Sequence, residues 1–186
     1  MTTMTVAARL SKRWPTALAL VAVAGCVVLV FRLSADVELA AGIATMMCVY
    51  PAAYAIGKPA AAWPAFGGAV LVALGFFAAG VDVGLGMTAV LVLLWLCALA
   101  TGLARDGRWF GIETAGVFGF GAITVAALSV DPRLGGVLAG VGWFAHGLWD
   151  AYHFVHNRVV NRPWSEMCAV VDIPVGLLLI VISLLR

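Results

Sequence analysis

Apolar residues run through this chain in long continuous blocks separated by short polar punctuation. The blocks cover residues 15–33, 37–57, 64–80, 83–104, 109–130, 133–156 and 164–185. A membrane-crossing helix needs about 20 mostly apolar residues, so each block predicts one span, the third being short. A membrane β-barrel would alternate polar and apolar positions, and these runs do not. The pattern predicts an all-α, polytopic integral membrane protein: a single bundle of about seven transmembrane helices over 15–186, after a short basic segment, 1–14. Connections of a few residues leave no room for a soluble domain and predict that consecutive helices are antiparallel neighbours.

Composition agrees. Of the 186 residues, 64% are hydrophobic and only 11% charged, against about 25% charged in an ordinary soluble domain. Mean hydropathy is +1.08. Too few polar residues are present to cover a soluble core. A soluble enzyme, a nucleic-acid binder and a disordered tail are thereby excluded, but an enzyme inside a membrane is not. The net charge of +2 implies no acidic partner.

Loop charge predicts direction, because cytoplasmic loops are enriched in Lys and Arg. With the N-terminus inside, the cytoplasmic segments carry Arg9, Lys12, Arg13, Lys58, Arg105, Arg108, Arg158 and Arg162. The external ones carry Arg32, Arg133 and Arg186, together with Asp36, Glu38, Asp82 and Asp131. Seven spans then put the C-terminus outside. Trp14, Trp63, Trp109 and Trp164 fall where the odd-numbered spans begin, as expected of an aromatic belt at the cytoplasmic interface. Proline follows at Pro15 and Pro64, suiting a first helical turn. The basic start and first apolar run resemble a signal peptide, but Leu33-Ser34-Ala35 is a poor cleavage site, which favours a retained anchor. Nine arginines against two lysines, amid abundant Ala, Val and Gly, read as a GC-rich bacterial coding bias. The expected location is therefore the bacterial inner membrane. Cys26, Cys48, Cys97 and Cys168 stand singly, with no CxxC, and read as buried free thiols. Glycines in the third and fifth blocks (Gly67, Gly68, Gly75; Gly111, Gly116, Gly119, Gly121) predict close helix packing there.

Chemistry concentrates in the sixth block. At 100° per residue, with His146 as origin, Asp150 lies at about +40°, His153 at about −20° and Asn157 at about +20°. Gly142, Ala139 and Gly135 continue the stripe outward. His156 falls about 80° away and is expected at the interface. Glu113 lies one turn into the fifth block and Asp172 about two turns into the seventh, beside Pro174. Glu166 is nearer the interface and turned about 120° from Asp172. Tyr50 and Tyr54 lie one turn apart on the second block. Ionisable groups at such depth are costly and face the bundle interior or water.

Three readings follow. Neutral imidazole and carboxylate suit a divalent zinc, iron or manganese ion, with Asp150, His153 and Asp172 as leading ligands and His146 next. Asp150 and His153 have the i, i+3 spacing of helical di-metal sites, whereas His146 and Asp150 are i, i+4. Asp150 or Glu113 then serves as general base, and Tyr50, Tyr54 and Asn157 as substrate contacts. Alternatively, the same acids and histidines hold a polar small molecule or relay protons in a transporter. Thirdly, they bind helices together in a structural subunit or assembly factor. The preferred reading is a metal-dependent enzyme acting on a lipidic or amphipathic substrate in the bilayer. Homo-oligomers and larger membrane complexes stay open as partners.

Named membrane families are not matched by these motifs. Three histidines on one block cannot supply the histidine boxes of membrane desaturases, and the seventh block lacks the retinal lysine of microbial rhodopsins. Likeness to the alkaline ceramidase-like hydrolases is limited to the chemistry of His and Asp, with His146-x-x-x-Asp150 in place of their HxxxH.

Overall fold

The computed structural model describes residues 13–33, 39–102 and 106–186. Arg9, Lys12, Ser34, Ala35, Asp36, Glu38 and Arg105, used above for direction and cleavage, lie outside them. The described residues form eight α-helices and no strand: α1 Trp14–Leu33, α2 Ala40–Met47, α3 Val49–Ile56, α4 Ala62–Ala78, α5 Val83–Gly102, α6 Gly107–Ser129, α7 Pro132–His156 and α8 Arg162–Leu185. A single 3₁₀ turn, Pro59–Ala61, precedes α4.

Local chemistry sets the ends. Asp106, Asp131 and Asn161 cap α6, α7 and α8, each accepting backbone N–H bonds of the first turn, as short polar side chains do at such positions. Asn157 ends α7 in the left-handed region, φ 50°, which Asn tolerates better than most residues. The second apolar block is one rod broken at Cys48 into α2 and α3. Pro51 has no N–H for the carbonyl of Met47, and its ring crowds that carbonyl, so the break falls in the turn before it.

Five helices are long and apolar enough to cross a membrane: α1, α4 with its 3₁₀ turn, α5, α6 and α8. The rod over Ala40–Ile56 is shorter. The remaining one, α7, is 25 residues long and carries the His/Asp stripe. These two inner rods hold much of the core, whereas α1, α4 and α5 turn Leu20, Val21, Leu71, Phe77 and Leu93 outward, each at least 60% exposed. Apolar side chains on that scale suit contact with lipid rather than water.

Packing departs from simple succession. The tightest pair is α7 with α8, and α1 rests chiefly on α8. Thr16 donates to Glu166 at 2.6 Å, with Arg13 3.4 Å away, so Glu166 ties α8 to the start of α1. The expectation that glycines of the third block bring helices together is corrected: a Cβ at Gly67, Gly68 or Gly75 would meet nothing within 4 Å, and the same holds for Gly111 and Gly119. Gly116 of α6 does allow close approach, a Cβ there meeting Met47 at 2.7 Å and Trp149 at 2.8 Å, and backbones come close between α7 and α8. A Cβ on Gly140 would sit 2.7 Å from the Ile180 nitrogen, and one on Gly147 would sit 2.9 Å from that of Ile173. Gly176 faces the backbone of Phe144 from the other side. With no side chain between them, the two backbones nearly touch.

The four tryptophans do not all form a belt. Trp14 meets Trp63 at 5.3 Å and Trp63 meets Trp164 at 5.1 Å. Trp164 is only 1% exposed, so it is a core residue joining α1, α4 and α8. Trp109 packs on Tyr152, His153 and His156 instead. All four cysteines are free, with Cys48 and Cys168 buried, Cys26 half-buried and Cys97 exposed.

Candidate functional site

His146, Asp150 and Asp172 meet in the core, each fully buried. His146 Nδ1 lies 3.0 Å from Asp150 Oδ2 and 2.9 Å from Asp172 Oδ2. Tyr50 reaches across from α3 and donates its hydroxyl to Asp150 Oδ1. The Tyr50 ring presents its edge to His146, and the Phe120 ring lies 5.0 Å from that imidazole. The i, i+4 spacing on α7 sets the first pair. The glycine seam sets the second, because it lets α8 bring Asp172 against α7.

The ligand-capable atoms of these three residues all lie within 4.8 Å of one another, a grouping able to hold a metal ion. Two distances bear on its geometry. An octahedral ion with bonds of about 2.1 Å has neighbouring ligands about 3.0 Å apart. A tetrahedral zinc with similar bonds needs about 3.4 Å. The 2.9 and 3.0 Å separations are also ordinary hydrogen-bond lengths between Nδ1 and the two carboxylates. With both carboxylates ionised and the imidazole neutral the group would carry two negative charges, which a divalent ion would cancel; with the imidazole protonated the three would form an ion-paired cluster. Buried charges of this kind require pairing or a metal.

Two atoms of the group, His146 Nε2 and Asp172 Oδ1, have no hydrogen-bond partner among the described residues. Asp172 also borders an apolar cavity of about 310 Å³ that Leu18, Cys26, Met46, Trp143 and Trp164 help to enclose.

His153 belongs to a second buried pair. Its Nδ1 lies 2.9 Å from the Trp149 carbonyl, which only accepts, so Nδ1 carries hydrogen. Its Nε2 lies 2.8 Å from Glu113 Oε1. A neutral imidazole with hydrogen on Nδ1 offers a lone pair at Nε2, so this contact requires a further proton shared between nitrogen and carboxyl. Glu113 Oε2 has no partner among the described residues. Tyr50 stands between the two pairs, its ring centre 4.7 Å from that of His153.

The candidate residues therefore divide. Asp150, Asp172 and His146 come together, with Tyr50 bonded to Asp150. His153 and Glu113 pair with each other, and His153 is not in the three-residue group. Tyr54 donates to the carbonyls of Gly102 and Asp106 at 3.0 and 2.7 Å. With Asn157, it lines a different cavity of about 500 Å³, walled also by Trp109 and Arg158. His156 is exposed, as expected of an interfacial residue. The glycine seam had a signal in the sequence, since Gly140 and Gly147 are seven residues apart on α7. The apolar cavity had none, because its walls come from helices distant in the chain.

No protein-family model matches this chain, and neither a curated protein nor a solved structure is significantly similar to it.

Proposed function

We propose that this chain is a seven-span membrane protein that binds one divalent metal ion through His146, Asp150 and Asp172 and uses it on a lipidic or amphipathic substrate. The seven spans are the five long apolar helices, the broken rod of α2 and α3, and α7. In this reading the chain is a single domain in a bacterial inner membrane, N-terminus in the cytoplasm and C-terminus outside. The two inner rods need less hydropathy than the outer ones, because protein rather than lipid surrounds them.

The observation that carries the metal reading is the triad itself: two buried carboxylates and an imidazole whose ligand-capable atoms lie within 4.8 Å of one another. A divalent ion held by these three residues would supply Lewis-acid chemistry toward a carbonyl or phosphoryl oxygen or a water. Zinc, iron and manganese all accept imidazole and carboxylate ligands. Tyr50 orients Asp150, as hydrogen-bonded neighbours of metal ligands do. The test is elemental analysis of the detergent-purified chain. About one zinc, iron or manganese per chain, lost in Asp172→Asn, is the expected result. A metal-free protein that gains no metal on incubation with any of the three ions overturns the reading.

A second reading, proton-linked transport, is favoured by the shared proton between His153 and Glu113. Glu113→Gln separates the two. Its amide still donates to His153 Nε2 but carries no exchangeable acid proton. Metal content within twofold of wild type, with loss of pH-driven uptake in liposomes, would favour transport.

A further inference from the structure

The cavity of about 500 Å³ lies where three chain junctions meet: the end of α3 with its link to α4, the residue that caps α6, and the link from α7 to α8. In the proposed topology all three are at the cytoplasmic face. Tyr54, Asp106, Trp109, Asn157, Arg158 and Val159 help to line it, so its wall combines one carboxylate, one guanidinium and apolar surface. Asp106 gives Oδ1 to the backbone N–H groups of Arg108 and Trp109, at 3.1 and 3.4 Å, and its other oxygen has no hydrogen bond to a described residue. The Arg158 side chain is exposed and has no hydrogen bond or ion pair with a described residue. Two opposite charges thus share one cavity without neutralising each other. The wall between them is fixed. Trp109 packs on Tyr152, His153 and His156, and the Tyr54 hydroxyl ties α3 to the start of α6.

The rim that carries Arg158 is strained. Val160 donates its N–H to the Arg158 carbonyl at 2.8 Å, closing a three-residue turn centred on Val159, whose φ is 68°. Turns of this hand are rare, and a β-branched residue adopts them at a cost. Asn157 ends α7 on one side and fully buried Val160 anchors the other, so the turn is held from both ends. Strain kept in this way is typical of ligand clamps.

We propose that this cavity binds the phosphoethanolamine head of a phospholipid, with the phosphate at Arg158 and the ammonium at Asp106. An anion alone would meet the Asp106 carboxylate, and a cation alone would meet the Arg158 guanidinium. A molecule bearing both charges, a few bonds apart, satisfies the two together. Guanidinium with phosphate and carboxylate with primary ammonium both form strong charge-assisted hydrogen bonds. A choline head cannot make the second, because it has no N–H, and a phosphoglycerol head lacks the positive charge. The volume is that of an ordinary small-molecule site. Helix ends beside Trp109 suit the membrane interface, where indole rings lie at the level of lipid heads. A soluble phosphoethanolamine ester has the same chemistry and is the other source. The inference rests on the proposed membrane topology and not on the metal reading, since none of His146, Asp150 and Asp172 lines this cavity.

The test is native mass spectrometry of the full chain in detergent, titrated with phosphatidylethanolamine, phosphatidylcholine and phosphatidylglycerol. One phosphatidylethanolamine per chain is expected, bound at least tenfold more tightly than either other lipid. Asp106→Asn keeps the α6 cap, because Asn caps about as well as Asp, and removes the charge. It should weaken phosphatidylethanolamine at least tenfold and leave phosphatidylglycerol within twofold of wild type. Arg158→Gln, at an exposed position with no bond to lose, should weaken phosphatidylethanolamine by a similar factor and serves alone should Asp106→Asn fold poorly. Equal affinity for the three lipids means general attraction to the bilayer and overturns the proposal. So does phosphatidylethanolamine binding within twofold of wild type in both variants. Glycerophosphoethanolamine in equilibrium dialysis separates the sources. Binding at least tenfold weaker than the lipid supports the lipid head, and equal binding overturns it in favour of the soluble ester. Discrimination among lipids by a chain that never binds metal would sink the metal reading and leave this one standing. Stoichiometric metal without discrimination would do the reverse.

Discussion

Gly147 lies directly against Asp172: a Cβ built on the glycine would sit 3.2 Å from the Asp172 Cβ and 2.9 Å from the next backbone nitrogen. The missing side chain is what lets α8 approach α7 closely enough for Asp172 to reach His146, 26 residues earlier in the chain. Gly147→Ala should therefore act on the site without touching a ligand. Overpacking of this kind costs about 1–3 kcal/mol. Thermal unfolding in detergent should show that loss, and metal affinity should fall at least tenfold. Gly67→Ala, in open space on α4, should leave affinity unchanged and gain up to about 1 kcal/mol of helix propensity. Equal behaviour of the two variants would refute the seam.

Asp150→Asn keeps the shape and a hydrogen-bonding side chain toward Tyr50 and His146 but removes the negative charge. Metal content or affinity should drop about 10- to 100-fold. Unfolding should shift by only about 1 kcal/mol, since interhelical polar bonds in membranes contribute about that much. His156→Gln, exposed and off the stripe, should change neither by more than twofold. Equal losses at 150 and 156 would contradict the buried site.

Tyr50→Phe and Tyr54→Phe remove the same atom from residues one turn apart, with different expected consequences. The first leaves Asp150 Oδ1 without its donor, which should cost about 1–3 kcal/mol and about tenfold or more in metal affinity. The second frees the Gly102 and Asp106 carbonyls and should reduce stability by about 1 kcal/mol with affinity intact. A metal titration alongside unfolding separates them. Matching affinities would remove Tyr50 from the site.

The proposed topology predicts that cysteines placed at 3 and 186, in a chain otherwise lacking exposed Cys97, react with an impermeant thiol reagent from opposite sides of the membrane. Labelling from one side would require an even number of spans.

Several features were legible in the residues alone because they are local. Uninterrupted apolar runs imply helices, since in an apolar medium a helix satisfies its own backbone. The fixed advance of 100° per residue placed His146, Asp150 and His153 on one stripe, and all three are buried. Pro15 and Pro64 marked first helical turns for the same local reason. Partnership was decided by the tertiary structure. The i, i+3 spacing suggested Asp150 with His153, but packing gives His153 to Glu113 on α6 and His146 to Asp172 on α8. Which helix lies beside which depends on contacts between residues far apart in the chain, and helix periodicity does not encode them. The same holds for α1 lying along α8, for Trp164 entering the core, and for the cavity beside Asp172. Each depends on how closely two backbones can approach, which the glycines of α7 and α8 permit and the sequence pattern of either helix alone does not reveal.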